Sequence, residues 1–364
     1  MELKQFPYLM ILWMMAIPLN AQTVTIPDPF FKASLVNHDP LIDTNHDGEI
    51  QLSEATAFSG TINVSSQGQI VDLTGIEAFI NLDGLACDFN QIGSLDLAGN
   101  PAIHMVSASG NPITSINITN NPQLEFLQVN NANLTTINTH ENPLLHFLYA
   151  SGCGLTQLDL TNNPLLEILI LDNNNLETLN LSNNIQLYGL FCRNNRFTHL
   201  NLSNNPEMWQ LDLKGNDLLT YINLKSGNNQ NLNIDNGTYS SNFEDLPLLD
   251  TVCLDDVNSD LAAFILSETG HSVTFTEDCS LNIKEKVANE VRIFPNPAHN
   301  ILNISTKSVI QQIEILNLLG QFIQKQEGNA AQITCSVSNL SQGLYFLKVT
   351  LENKQTVVFR FLKE

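Results

Sequence analysis

Positive charge is what this sequence has least of. Lys and Arg number 15 against 37 Asp and Glu, for a net charge of −22. The deficit is concentrated: residues 22–290 hold 7 Lys/Arg against 32 Asp/Glu, whereas residues 291–364 hold 7 against 4. So acidic a body repels phosphate backbones and anionic headgroups, and nucleic acid is not an expected partner. Catalytic signatures are missing too. There is no GxSxG, HExxH, P-loop or dinucleotide-binding fingerprint, and the eight histidines are scattered, with only His104 and His146 sharing a repeat offset. That pattern argues against an enzyme. No CxxC motif points to zinc or redox chemistry. The six cysteines are irregularly spaced, and only Cys253 and Cys279 lie close together outside the repeats. They are the expected disulfide in an exported chain. Past the first residues no apolar run is long enough to cross a bilayer, so no transmembrane segment is expected in the mature protein.

The compartment is read from the start of the chain. Lys4 leads into the apolar run Pro7 to Leu19, and Leu19-Asn20-Ala21 offers a small residue for cleavage before Gln22. The run is short for a membrane span and reads as a secretory signal peptide over residues 1–21.

A repeat occupies the middle of the chain. Asn100, Asn121, Asn142, Asn163, Asn184 and Asn205 are each 21 residues apart, and Pro follows five of them. With an equivalent unit from Phe79, about seven units run to Lys225, the last with one inserted residue. Apolar residues keep their offsets: Leu82, Leu85, Cys87 and Ile92 in the first unit recur as Leu166, Leu169, Leu171 and Leu176 in the fifth. Leu218 is the expected counterpart in the last unit. Positions seven and nine alternate with variable ones, as in a short strand with one face inward. Asn at position twelve (Asn90, Asn111, Asn174, Asn195, Asn216) can bond backbone groups where the chain turns inward, whereas Ala132 and Cys153 interrupt that column. Cys87 and Cys192 fall at core positions and read as buried, inert thiols. The pattern resembles the leucine-rich repeat, LxxLxLxxNxL, and a period this short makes a solenoid that folds as one stack. Twenty-one residues with Asn-Pro at most returns leave no room for a full helix, so the convex wall is expected to be extended or irregular.

Both ends require caps. In the N-terminal cap, residues 22–60, the run Asp43 to Glu54 matches the twelve-residue EF-hand loop at each diagnostic place. Asp43, Asn45, Asp47, the Glu49 carbonyl, Gln51 and Glu54 would supply oxygen to a structural Ca2+, with Gly48 at the sharp turn and Ile50 inward. Helical flanks are expected around Phe31 and Ala55. Residues 227–279 lose the period and read as the C-terminal cap, where Asp255, Asp256 and Asp260 form a solvated face. A linker, 280–290, follows.

From Val291 the charge turns slightly basic and short alternating strands appear, as in a small β-sandwich. Phe294-Pro295-Asn296-Pro297, the segment Leu340 to Val349 with Gly343-Leu344-Tyr345, and a basic final strand closely resemble the C-terminal sorting domain of type IX secretion, over residues 291–364. That resemblance implies recognition by the type IX machinery and a secreted or outer-membrane cell-surface location. The repeats (61–226) with the EF-hand-like cap are similar to internalin-type surface proteins. The chain as a whole is thus expected to be mostly β: a leucine-rich-repeat solenoid with caps and a small β-sandwich sorting domain.

Outward strand positions bring Phe126, Phe147, Tyr149, Ile168, Ile170 and Phe191 together on the concave face, rimmed by Arg193, Lys214, Asp172 and Asp212. An exposed apolar-aromatic patch of this kind marks an interaction site for a protein, peptide or glycan. Two alternatives stand beside it: side chains that merely pack on one another, and a passive surface-layer component without a ligand. An accessory module of a hydrolase is a more distant reading.

Overall fold

The computed structural model describes residues 22–235, 237, 240–279, 291–317, 321–352 and 356–364. The expected signal peptide and the 280–290 linker lie outside the described residues. Two compact units divide at Glu277/Asp278, and each is described by itself.

The first unit is built on a parallel sheet of eight strands: Thr61–Asn63, Gly84–Ala86, Met105–Ser107, Phe126–Gln128, Phe147–Tyr149, Ile168–Ile170, Gly189–Phe191 and Gln210–Asp212. Pairing is in register with the 21-residue period, so that Leu127 faces Leu148 and Leu148 faces Leu169. The sheet begins one strand before the seven units, since Thr61–Asn63 pairs with Gly84–Ala86. Positions four, seven and nine point inward. Every one of them from Leu82 to Leu213 is 0% exposed except Met208 at 5%. Each buried leucine contributes roughly 1.5–3 kcal/mol of transfer free energy, but only in a stack, because a single unit has nothing to cover it.

The opposite wall is extended, as its short returns dictate, and pairs in places. Ser94–Asp96 lies beside Ser115–Asn117, and Asn138 bridges Asp159. His199–Asn201, Tyr221–Asn223, Thr251–Cys253 and Thr274–Thr276 form a four-stranded parallel sheet. Two sequence expectations change here. Residues 227–279 lose the period yet continue this second ladder, with helix Asp260–Thr269 between its last two strands. The inserted residue of the last unit shifts the core place to Leu219, 0% exposed, and leaves Leu218 outside at 47%.

Two columns of buried asparagine amides hold the coils together. At position twelve, the Asn195 Nδ2 donates to the Leu171 and Cys192 carbonyls, while its Oδ1 accepts from the Leu176 amide. Asn90, Asn111, Asn174 and Asn216 donate in the same way. Cys153 substitutes weakly through its Sγ on the Val129 carbonyl, and Ala132 contributes no donor. The second column is the repeat marker itself. Asn142 donates to the Ile118 and Asn121 carbonyls, and Asn163 to those of Thr139 and Asn142. Position eleven is left-handed throughout (Phe89, Gly110, Asn131, Gly152, Asn173, Asn194, Gly215), which accounts for its run of Gly and Asn.

The N-terminal cap joins the stack through Asp28. Its carboxylate caps helix Pro29–Val36 by accepting from Phe30 and Phe31, and its other oxygen accepts from Val71 and Asp72. Burial pushes the Asp28 carboxyl up, but the amides of Phe31, Val71, Asp72 and Phe30 together hold it below the usual carboxylate range. Cys253 and Cys279 are disulfide-bonded. Cys87, Cys153, Cys192 and Cys335 are buried free thiols.

The second unit is an antiparallel five-stranded sheet. Ile301–Leu316 is its longest strand and pairs with Phe322–Ser336 along one side. On its other side, Arg292–Phe294 covers the first half and Gly343–Leu351 the second. A register shift between Ser305 and Ile310 separates the halves. Hydrogen bonds link the strands of this C-terminal β domain around a core of Leu302, Ile304, Ile313, Ile315, Leu347, Val349 and Phe361. Cys335, 1% exposed, packs in that core. Thr356–Lys363 closes the sheet, clamped by the opening segment: the Asn296 Oδ1 accepts from Leu362 and the Leu362 carbonyl accepts from Ala298.

Two expectations follow from these contacts. Replacing Asn142 with Ala removes the donor to the Ile118 carbonyl and leaves the Asn121 carbonyl only the Leu124 amide, and should lower unfolding free energy in urea by about 1–3 kcal/mol. Asn142→Asp should lower it further, by setting a carboxylate against those carbonyls, and an Asp tolerated better than Ala would show that the amide is not the working donor. Asp28→Asn should lose about 2 kcal/mol near neutral pH, because its one oxygen can still cap the helix but its NH2 then opposes the Val71 and Asp72 amides. Because the folded-state value is depressed, the wild-type advantage is full above the ordinary 3.8 and is lost as pH falls through the folded value. Urea midpoints of the two proteins should thus converge in acid; a constant gap would contradict the assignment.

Candidate functional site

Outward side chains of the long sheet form two adjacent columns. Phe126, Phe147, Ile168 and Gly189 are register partners at position six, and Gln128, Tyr149, Ile170 and Phe191 at position eight. The sequence-predicted apolar residues Phe126, Phe147, Tyr149, Ile168, Ile170 and Phe191 are therefore contiguous, and each is half-buried. The rings pack on one another. Phe126 meets Tyr149 edge-to-face at 5.2 Å and Phe147 at 6.3 Å. The Phe191 ring lies beside Gly189, at ordinary contact distance from where a Cβ would sit. Burial pushes the Tyr149 phenol up, reinforced by Tyr188 beside it. The result is a preformed apolar floor across four strands, with part of every side chain still in solvent.

At the C-terminal side the rim differs from the sequence expectation. Asp212 is 1% exposed and lies beneath Arg193, whose guanidinium donates to it. The reason is the continuation of the sheet past Gln210–Asp212: Asn242 bridges Asp212 and covers its flank. Arg193 itself is exposed. Its backbone amide donates to Asp172, whose carboxyl is pushed up by burial against that bond and the neighbouring guanidinium. Lys214 is held by Glu244 and lies 3.7 Å from Asp245.

Position five, just before each strand, was not counted as outward in the sequence and belongs to the site. It reads Asp83, His104, Glu125, His146, Glu167, Tyr188 and Trp209. The His146 ring contacts Phe147 at 6.1 Å and pairs with Glu167 at 2.9 Å, and His104 stands 3.0 Å from Asp83. Tyr188 and Trp209 are 37% and 43% exposed, extending the aromatic surface to the sheet edge. A signal was available in the shared offset of the two histidines.

The N-terminal loop gathers Asp43, Asn45, Asp47, Gln51 and Glu54 around one turn. The Asp43 carboxylate accepts the Asp47 and Gly48 amides. The Gln51 side chain donates to Asp47 and accepts from Asn45. Glu54 accepts from Thr44, Asn45 and Gln51 through both oxygens. Glu49 pairs with Lys32 at 2.6 Å. Short helices flank the turn, Pro29–Val36 and Leu52–Ala57, with Ile50 fully buried. Among the described residues no three His, Cys, Asp or Glu side chains converge as a metal cluster. The donor set is nonetheless all oxygen, which suits a hard cation.

Residues 292–363 match the secretion system C-terminal sorting domain family. No curated protein matches the chain. Among solved structures the chain is similar to the functional domain of InlJ from Listeria monocytogenes, at 16% identity and a TM-score of 0.38, covering 94% of this chain and 98% of that one. It is also similar to two further L. monocytogenes internalins. InlF has 16% identity and a TM-score of 0.39, over 71% of this chain and 93% of its own; InlC2 has 17% and 0.37, over 69% and 94%. No described helix is long and apolar enough to cross a membrane. The first unit thus has a leucine-rich-repeat solenoid fold of in-register 21-residue coils, and the sorting domain over residues 292–363 makes the chain a secreted or cell-surface protein of the type IX pathway.

Proposed function

We propose that this protein is a surface binding or adhesion module whose long sheet presents its outward face to a protein, peptide or glycan ligand. One observation carries the reading. Six large apolar side chains lie side by side across four strands, half in solvent, on a sheet whose stability comes from the opposite face. Contiguous apolar surface on a soluble scaffold costs free energy unless something covers it for part of the protein's life. Rigid aromatic rings held by a sheet also lose little conformational entropy on binding. Nothing in the side-chain arrangement of this face supplies a nucleophile with a base, so binding rather than catalysis is the reading the site supports. The sorting domain would deliver this face to the exterior through the type IX machinery.

The full chain should be screened against arrays of glycans and extracellular proteins beside a Phe147→Ser/Tyr149→Ser variant. A ligand held by the wild type and lost in the variant, with both proteins melting at nearly the same temperature, is the expected result. A ligand retained by the variant, or a melting point that collapses with the substitutions, would show that these rings serve packing instead.

The N-terminal loop supports a second, structural role: one Ca2+ held by Asp43, Asn45, Asp47, the Glu49 carbonyl, Gln51 and Glu54. Bound there, the ion would tie the turn to the helix that follows it, Leu52–Ala57, through the Glu54 carboxylate. A single loop lacks the paired arrangement of a calcium sensor and suits the weak affinity of extracellular modules, on the order of 0.1–1 mM. Calorimetry should find one such site per chain, absent in Asp43→Asn/Glu54→Gln, and calcium should raise the melting temperature only of the wild type. Identical melts with calcium and with chelator would refute this assignment.

A further inference from the structure

The rims of the outward face carry a second period, twice that of the repeat. Position five is acidic in alternate units (Asp83, Glu125, Glu167). Position ten is an acceptor in the same units, as Asp88, Asn130 and Asp172, each of which takes the backbone amide of the following unit. The intervening units place His or Ser there instead. Glu125/Asn130 and Glu167/Asp172 therefore edge the apolar floor on both sides, and Asp83/Asp88 continue the same every-second-strand row beyond it. With strands about 4.8 Å apart, that spacing is about 9.6 Å. A polyproline II chain rises about 3.1 Å per residue with three residues per turn, so every third residue falls on one face at about 9.3 Å, almost the same interval.

Charge decides what such a surface admits. On the edge row, the Asp83 and Glu167 side chains are 58% and 34% exposed, and Glu125 is exposed as well. Arg193 and Lys214, the cations at these positions, are each engaged by a carboxylate, Asp212 and Glu244. An incoming cation thus meets no Lys or Arg on this row, only the histidines beside Asp83 and Glu167, whereas an anion meets only repulsion within a body that already holds 32 acids.

We propose that the outward face binds a peptide segment of a partner protein in the polyproline II conformation. The segment lies across the strands, with Lys or Arg at every third residue set against Asp83, Glu125 and Glu167, and apolar residues between them on the aromatic floor. This inference rests on the binding reading above and adds the chemistry and spacing of the partner. The cationic side chains meet solvent-accessible carboxylates, so they set orientation and association rate, while the floor supplies the residence time. His104 and His146, which stand between those carboxylates, face Asp83 and Glu167 respectively.

The test uses the full chain and fluorescence anisotropy with two fluorescent peptides of one composition, Lys, Leu and Phe. One has Lys at every third residue and the other has the same residues shuffled. The spaced peptide should bind about tenfold more tightly than the shuffled one, and more weakly as salt is added. Its advantage should vanish in Glu125→Lys/Glu167→Lys, whose substitutions lie on the solvent side. Equal binding of the two peptides, or binding unchanged in that variant, overturns the proposal. If neither peptide binds but an array ligand is still lost in the Phe147→Ser/Tyr149→Ser variant, the basic-segment inference fails while the binding reading stands. If no ligand of any kind is lost in that variant, both fall.

Discussion

Everything in the solenoid depends on amide side chains buried between coils. A coil of 21 residues with no helix in its return exposes a large share of its carbonyls to the interior, where an unpaired one costs about 1–3 kcal/mol. Water cannot reach them, and leucine cannot pair them. Asparagine can, because its Nδ2 carries two donors, and the structure uses both: Asn195 reaches the Leu171 and Cys192 carbonyls, while Asn121 and Asn184 add a second donor to carbonyls that also accept a turn amide, such as those of Leu97 and Leu160. The cost of this arrangement is visible in Oδ1 atoms of Asn100, Asn121, Asn142, Asn184 and Asn205 that face no donor. Asn163 avoids it, since Thr139 donates to its Oδ1 at 2.7 Å. The donors are worth more than the stranded acceptors, which is why the residue recurs.

Once the carbonyls are satisfied and the leucine columns closed, the outward positions of the long sheet carry little structural duty. They vary freely in the sequence from Gly84 to Gln210, and the variation clusters its large apolar members in the middle units. That division of labour lets a rigid scaffold display a surface composed almost independently of the fold. The terminal unit follows the same economy in a different geometry. Its opening and closing segments meet through Asn296, Ala298 and Leu362, so the sheet is complete within residues 292–363 and needs nothing from the repeats to form its core.

How much of this was legible depended on what each residue had to satisfy. Columns such as Leu85 to Leu211 were readable because burial admits only apolar side chains, and their spacing survives any change in ligand. The twelfth-position asparagines were readable for the same reason. The role of the Asn-Pro asparagines was hidden, because Asn before Pro in a turn is expected whether or not its side chain is buried. Asp212 was misplaced since its cover, Asn242, comes from a segment without the period. The continuation of the ladder into Thr251–Cys253 and Thr274–Thr276 was missed likewise: pairing there is carried by backbone register, which leaves little trace in side chains. On the candidate site, alternation identified Phe147 and Tyr149. It overlooked Tyr188 and Trp209, which lie one residue before their strands and so outside the two-residue rhythm.

The claim that stability and recognition occupy opposite faces of one sheet is open to a direct measurement. Native-state hydrogen exchange would be compared between the full chain and a variant with Phe126, Phe147 and Ile168 all replaced by Ser. The account predicts equal protection of the strand amides from Val106 to Leu190, since their bonds and the leucines behind them are untouched. Loss of protection confined to the strands around Phe126–Ile170 would mean that the outward rings hold the sheet together, and would contradict it.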